Sequence, residues 1–304
     1  MDMSGLLTKM VIFVVLMVIG WCCARSGMLS GEFTRTTSKL VINFFMCGTI
    51  LKSVMSTDFQ LEGSALLNAF IVVTLAILCC YGVAAAAARL VPMEKDKRPL
   101  YELLCGVVNN MFIALPVVDA LFGSVAVFYC SLSNISYNVI LYTYGVWRLK
   151  NGDSGVNIKD IVSIPLVTTL TAVLIFLLRI PMPGFVKELV SAIAGATMPL
   201  SMIVIGASLG SVSLALAFRQ WRYYVLSFCR LVVTPLLAWL LCGLLTDDPA
   251  LLTTAAIIAG SPSGVVVSVL TLKYGKDAVF TSQGILHSTT LAMFTIPALV
   301  WLIT

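Results

Sequence analysis

Between Leu252 and Leu272 the chain reads LTTAAIIAGSPSGVVVSVLTL, an apolar run long enough to cross a bilayer, and its centre is Gly260-Ser261-Pro262-Ser263-Gly264. Glycine and proline weaken or break a helix, and hydrocarbon supplies no hydrogen-bond partners to a backbone opened there. Broken backbone at that depth is tolerated only where protein covers it or where it lines a cavity. Any fold for this chain has to bring something to that break.

The rest of the composition agrees that the surroundings are lipid. Of 304 residues, 60% are hydrophobic and 11% charged, with a mean hydropathy of +1.02; soluble domains carry roughly 25% charged residues. This is an all-α polytopic membrane protein. The net charge of +5 is not a nucleic-acid footprint; its meaning lies in where the positive residues fall. The nine cysteines all sit in apolar runs and none form a CxxC spacing, so they read as small buried hydrophobes. One histidine and loop-bound acids leave no metal site, and no cofactor is expected. The first apolar run is long enough to stay in the membrane as a span rather than serve as a cleaved signal.

Apolar runs separated by short polar loops place ten transmembrane helices near 5–24, 37–55, 64–90, 100–122, 124–147, 159–178, 185–210, 222–245, 249–272 and 277–303. Loops after odd-numbered spans carry fourteen Lys and Arg, against four on the opposite side, with Arg230 inside span eight. Positive residues favour the cytoplasmic side, which puts both termini outside a plasma (inner) membrane.

The motif FGSVAVF at Phe122–Phe128 returns as YGKDAVF at Tyr274–Phe280, an offset of 152 residues. The same offset lays Met46 on Met198 and Asn109-Asn110 on Ser261-Pro262. The chain thus divides into five-helix halves, 1–152 and 153–304, and an odd span number inverts the second relative to the first. Inverted repeats with interrupted helices at matching positions are a hallmark of secondary transporters, with the site where the breaks meet. In span nine, Ser261 is expected to cap a new half-helix with Pro262 at its first position. Span four carries the counterpart in VVNNMFIALP, with Asn109 and Asn110 at mid-depth and Pro116 beyond them. Two half-helix N-termini aimed at one spot would bind an anionic group such as a carboxylate. Two proline-kinked helices packed on neighbours are the plainer alternative.

Several stretches, among them LSGEFTRTTSKLVINFF, NNMFIALPVVDALFG, SYNVILYTYGVWRL, RLVVTPLLA, AGSPSGVVVSVLTLKYG and STTLAMFTIPALV, resemble the auxin efflux carrier family over essentially the whole chain. The resemblance implies ten helices in two inverted five-helix repeats, with broken helices 4 and 9 crossing, similar to the bile-acid symporter architecture. It implies a scaffold of spans 1, 2, 6 and 7, a transport domain of spans 3–5 and 8–10, elevator-type alternating access and a homodimer. Asn109, Asn110 and Pro116 fall on the family's first crossover, Ser261, Pro262 and Ser263 on the second, and Asn138 on its fifth-span asparagine. Two features depart from the pattern: Cys47 stands where span two usually has proline, whereas Pro199 keeps it in span seven, and the central loop Arg148–Asp160 is short. The short loop favours a bacterial-type carrier of mono- or dicarboxylates, malonate or malate included, over one for auxin.

Further candidates come from polar groups at depth. His287, followed by Ser288, Thr289 and Thr290, lies about ten residues into the last span, where an ionisable group is a functional candidate or polar glue between helices. Arg230 reads as a residue snorkelling to the headgroups, and Asp119 and Glu102 as interfacial, with a coupling role open to Asp119. Ser131, Asn134 and Asn138 share one helical face; with Gln283 and Thr290 they supply neutral oxygens for a sodium ion. Gly206 and Gly210 form a GxxxG expected to pack internally. No carboxylate lies at the expected midplane, which favours an anionic or neutral substrate over a cation. The partners expected are therefore a small organic anion, the bilayer and a second copy of the chain, with sodium and protons both open as coupling ions. The competing readings are a sodium-coupled symporter of a larger amphipathic or neutral solute and an intramembrane enzyme. The latter is disfavoured because only the lone pair Asp247-Asp248 approaches a metal-binding acidic motif.

Overall fold

The computed structural model describes residues 3–55, 63–150, 162–210 and 214–303; most of the central loop Arg148–Asp160 lies outside the described residues. Every regular element among the described residues is helical. The first half comprises α1 (Met3–Arg25), α2 (Gly31–Leu40), α3 (Met46–Met55), α4 (Gly63–Leu90), α5 (Arg98–Gly106), α6 (Leu115–Phe122), α7 (Ser124–Ile140) and α8 (Val146–Leu149). The second comprises α9 (Ile164–Leu178), α10 (Gly184–Gly195), α11 (Thr197–Gly210), α12 (Leu214–Arg219), α13 (Trp221–Phe228), α14 (Thr234–Cys242), α15 (Pro249–Gly260), α16 (Val266–Lys273) and α17 (Ala278–Ile303). Single π-helical turns at Val41–Phe45, Leu141–Gly145 and Cys229–Val233 join α2 to α3, α7 to α8 and α13 to α14 into continuous rods.

Six helical stretches among the described residues are long and apolar enough to cross a membrane: 31–55, 63–90, 124–149, 184–208, 221–242 and 278–303. Four shorter apolar helices accompany them at 11–25, 110–122, 164–178 and 249–260. Helix starts are set by short polar side chains that accept from otherwise orphaned amides. Ser30 Oγ takes the Phe33 N–H at 3.1 Å, Ser163 Oγ the Leu166 N–H at 3.3 Å, and Asp248 Oδ1 the Ala250 N–H at 2.9 Å. Asp248 therefore has a structural use, as the cap of α15.

The described residues contain four positive-φ positions, and they recur at the repeat offset. Gly27 (φ 79°) and Arg179 (φ 49°) are 152 residues apart, as are Gly123 (φ 64°) and Gly275 (φ 63°). Each lies just after a helix, where a left-handed residue lets the chain turn back and satisfy the last carbonyls. Arg179 does this with its N–H on the Ile175 and Phe176 carbonyls, in a conformation that costs a residue with a Cβ more than it costs glycine.

The chain forms two compact units, each drawing segments from both halves. One comprises Met1–Phe70, Met111–Ile135 and Ser163–Ser211. In it α1 and α11 approach to backbone contact: a Cβ on Gly20 would strike the Ile203 carbonyl, and one on Gly206 the Met17 carbonyl. A Cβ on Gly210 would lie 3.0 Å from Ala24 Cβ, so the GxxxG packs within the chain. Gly48 of α3 meets α10 in the same way, its added carbon 2.6 Å from Ile193 Cγ2. Thr197 Oγ1 donates to the Phe45 carbonyl at 2.8 Å and lies 2.7 Å from Thr49 Oγ1; Phe45 and Thr197 are again 152 residues apart. The other unit comprises Ile71–Asn110, Ser136–Val162 and Val212–Thr304, and it contains the break in span nine.

Two stability measurements follow. Gly206→Val forces branched atoms into the α1 backbone and lowers the unfolding free energy by about 3 kcal/mol or more, the upper end for overpacking. Arg179→Gly relieves the left-handed residue and raises stability by up to about 1 kcal/mol. Thermal melting of both variants, followed by circular dichroism, checks the two signs.

Candidate functional site: a crossing of two broken helices

α15 ends at Gly260 and α16 begins at Val266; between them the backbone leaves the helix extended at Ser261 and returns to helical angles at Val265. α5 ends at Gly106, Val107 is extended (φ −84°, ψ 116°), and the chain resumes at a π-helical turn, Asn110–Ala114, that leads into α6 with Pro116 in its first turn. The two extended segments pair with each other. Val108 and Ser263 form an antiparallel bridge, the Asn109 N–H donating to the Pro262 carbonyl at 2.8 Å and the Gly264 N–H to the Val107 carbonyl at 2.8 Å. Two breaks thereby supply each other with the hydrogen bonds that lipid withholds.

Neighbouring side chains complete the satisfaction. The last carbonyls of α5 have no partner within their own helix. That of Leu104 accepts from Ser263 Oγ at 2.6 Å, and that of Cys105 from Arg230 Nη1. Ser288 Oγ on α17 accepts the Ser263 N–H at 3.2 Å. Small residues make the approach possible: a Cβ on Gly264 would lie 2.8 Å from the Val108 carbonyl oxygen, and one on Gly284 of α17 would lie 2.7 Å from Leu104 Cδ1. Gly260 is equally confined, its added carbon falling 2.8 Å from Leu299 Cδ2.

Two expectations need correction here. Ser261 does not cap the second half-helix: its Oγ donates back to the Ile257 carbonyl at 2.8 Å, at the end of α15, and Pro262 contributes a carbonyl to the bridge rather than opening α16. A serine hydroxyl reaches the carbonyl four residues back as readily as an amide ahead, and the chain needs extended residues before it can coil again. Arg230 does not snorkel. It is fully buried, because the π-helical turn Cys229–Val233 directs it to the end of α5. Glu102 is also buried, at 2% exposure, where it accepts from the Tyr144 hydroxyl and from Arg148, whose Nε lies 2.9 Å from Oε2.

The remaining candidates divide as follows. Asn109, Asn110, Ser261 and Ser263 are buried at the crossing; Asn138 is buried in α7. His287 is buried one residue from Ser288 but faces another way, with Nδ1 2.8 Å from Ser227 Oγ and its ring against Phe218 and Tyr224 at centroid distances of 4.7 and 4.5 Å. Gln283 Oε1 sits 3.5 Å from the Tyr223 hydroxyl, and Thr290 Oγ1 donates to the Leu286 carbonyl at 2.8 Å. Pro116, exposed Asp119 and buried Asn134 belong to the other compact unit. Sequence reasoning passed over Tyr81, buried with a hydroxyl that has no partner among the described residues; nothing in the apolar run LCCYGVAAAA marks it out.

The crossing tolerates no extra carbon. Gly264→Ala is expected to cost about 1–3 kcal/mol through overpacking, whereas Gly82→Ala, where an added methyl meets nothing within 4 Å, stays within about 0.5 kcal/mol of the parent protein. Parallel thermal melts in detergent test the contrast.

The family model described as Membrane transport protein matches residues 6–158 and 153–301. Similar proteins include an uncharacterized transporter of Methanocaldococcus jannaschii, 23% identical over 303 residues, covering 96% of this chain and 97% of the relative. An uncharacterized transporter of Methanothermobacter thermautotrophicus is 25% identical over 294 residues, covering 93% of each chain.

Proposed function

The chain belongs to the membrane transport protein family, that of the auxin efflux carriers, and from that premise we propose that it is a secondary carrier of small organic anions working by elevator-type alternating access. The observation that carries this reading is the crossing itself. Two interrupted helices meet in antiparallel pairing inside apolar segments, the arrangement that carriers use to place polar backbone at mid-depth. The positive-φ turns at 27 and 179, and at 123 and 275, support two repeats of five helices; the placing of both termini on the outer side follows from the distribution of Lys and Arg alone. Division of labour between a scaffold of spans 1, 2, 6 and 7 and a transport domain of spans 3–5 and 8–10 is part of the proposal, as is a homodimer. One compact unit gathers α1–α3 with α9–α11, in line with the scaffold half of that division, and it also holds Met111–Ile135 from spans four and five, which the proposal gives to the transport domain.

The substrate site is assigned to Asn109, Asn110, Asn138, Ser261, Pro262 and Ser263, with His287 behind Ser288 as the group able to carry a proton. The bridge consumes the amides of Asn109 and Gly264, and Ser288 takes that of Ser263. Recognition of an anion at the crossing therefore draws on side chains as well as on half-helix ends. A substrate-binding role for Pro116 and coupling roles for Asn134, Gln283, Thr290 and Asp119 rest on their positions in the sequence. A sodium-coupled symporter of a larger amphipathic or neutral solute is the second reading, favoured by Ser131, Asn134 and Asn138, polar side chains buried in an apolar helix. A sodium titration of ligand-induced stabilisation separates it from the first.

In proteoliposomes, counterflow of a labelled carboxylate is expected to be saturable. Asn110→Ala and Ser263→Ala should each lower it by roughly tenfold or more, the loss of one charge-assisted contact. Unchanged transport in folded variants would remove the crossing from the binding site.

A further inference from the structure

Among the described residues, no carboxylate balances the charge of Arg230. Its guanidinium is fully buried, and Nη1 donates to the Cys105 carbonyl, but Nε and Nη2 have no hydrogen-bond partner. Among the described residues no carboxylate pairs with it; the ionisable groups that feel its charge are Cys80, Tyr81, Cys105 and Tyr137. The Cys80 thiol donates to the Ala76 carbonyl at 3.2 Å and its sulfur also lies within reach of the Arg230 guanidinium, as a weak acceptor and not a counter-ion. The one carboxylate on α5, Glu102, is taken by Arg148 and Tyr144. The Tyr81 hydroxyl is a second buried donor without a partner, and the Tyr81 ring packs where a Cβ on Gly106 would lie 3.2 Å from it, one residue beyond the carbonyl that holds Arg230.

The two unpartnered nitrogens of Arg230 share one edge of a planar group, and that edge matches the two oxygens of a carboxylate. The protein uses the same edge elsewhere: Arg148 turns its Nε and Nη2 to Glu102. Capping the end of α5 accounts for Nη1 only, and a lysine would serve that purpose as well. We infer that Arg230 is the residue that reads the substrate's charge, its Nε and Nη2 gripping a carboxylate side-on while the Tyr81 hydroxyl donates to the same group. The inference rests on the anion-carrier reading and narrows it. The cargo bears a planar carboxylate, and recognition centres on a side-chain fork beside the crossing, with the paired backbone as its rigid support. A buried cation that lacks a fixed counter-ion also selects against cationic cargo, because a positive solute would face uncompensated repulsion in a low-dielectric site.

The test uses the purified full-length protein, with acetate, benzoate and succinate as probe carboxylates and acetamide and methyl benzoate as neutral counterparts. Ligand-induced thermal stabilisation gives apparent affinities. The parent protein should be stabilised by at least one carboxylate and by neither neutral compound. Arg230→Lys keeps the charge and the bond to Cys105 but loses the fork; it should melt close to the parent without ligand and bind the carboxylate about tenfold more weakly or worse, the equivalent of one lost charge-assisted bond. Tyr81→Phe should lose several-fold by the same reasoning. If Arg230→Lys binds within twofold of the parent, the inference is overturned while the carrier reading stands. If the parent binds no carboxylate but is stabilised by neutral compounds, both fall. If Arg230→Lys does not fold, the bromine position of 4-bromobenzoate in crystals of the parent decides: beside Arg230 and Tyr81 it supports the assignment, and elsewhere it overturns it.

Discussion

A polypeptide in hydrocarbon has to satisfy its own backbone, and this chain opens two helices where water cannot help. The bridge between Val107–Asn109 and Pro262–Gly264 is the solution, and much of the second compact unit is arranged around it. Gly264 is a glycine because the Val108 carbonyl occupies the space of its side chain; Gly284 is one because α17 has to come close enough for Ser288 to reach the Ser263 amide. Ser263 contributes twice, donating its amide to Ser288 and its hydroxyl to the stranded carbonyl of Leu104. Since each buried polar group left unpaired costs about 1–3 kcal/mol, a crossing with several such groups exists only if nearly all are met.

Charge is handled by the same economy of partners. Glu102, buried on α5, is neutralised by Arg148 and steadied by Tyr144. Arg230, near the C-terminal end of the same helix, gains the negative end of a helix dipole and one carbonyl, and among the described residues no acid. Desolvated ions are kept when their partners are close and well aimed. Buried Glu102 has such a partner in part-exposed Arg148, whereas buried Arg230 has none among the described residues, and the proposal of an anion site rests on that asymmetry.

Much of this architecture is legible in the residues, because lipid makes sequence simple to read: apolar length marks helices, and Gly-Ser-Pro-Ser-Gly inside one marks a break. The repeat offset shows in FGSVAVF and YGKDAVF, and the backbone repeats it in the left-handed turns at Gly123 and Gly275. What stays hidden is register and reach. Ser261 is a cap in either direction, and whether its hydroxyl serves the helix before it or after it depends on Pro262 being held by Asn109, a residue 153 positions away. Arg230 in an apolar span looks like a side chain on its way to the surface until the carbonyl of Cys105, 125 residues distant, is seen to hold it. Glu102 gives no sign in the sequence of its partner Arg148, 46 residues on. Tyr81 gives no sign at all, since a tyrosine among alanines is equally at home buried or at an interface.

The crossing is tested most directly by a disulfide across it. Val108 and Ser263 face each other as a bridge pair without mutual hydrogen bonds, which brings their α-carbons to about 4.5 Å, within the span of a disulfide. In a variant with the nine native cysteines replaced, Val108→Cys with Ser263→Cys should oxidise to an intramolecular disulfide in native membranes, read as a cross-linked peptide by mass spectrometry. A control pairing Val108→Cys with a cysteine at Val279 should not. Failure of the first pair to cross-link while both thiols react with a membrane-permeant maleimide would place the two breaks apart, and the account of the site would fail with them.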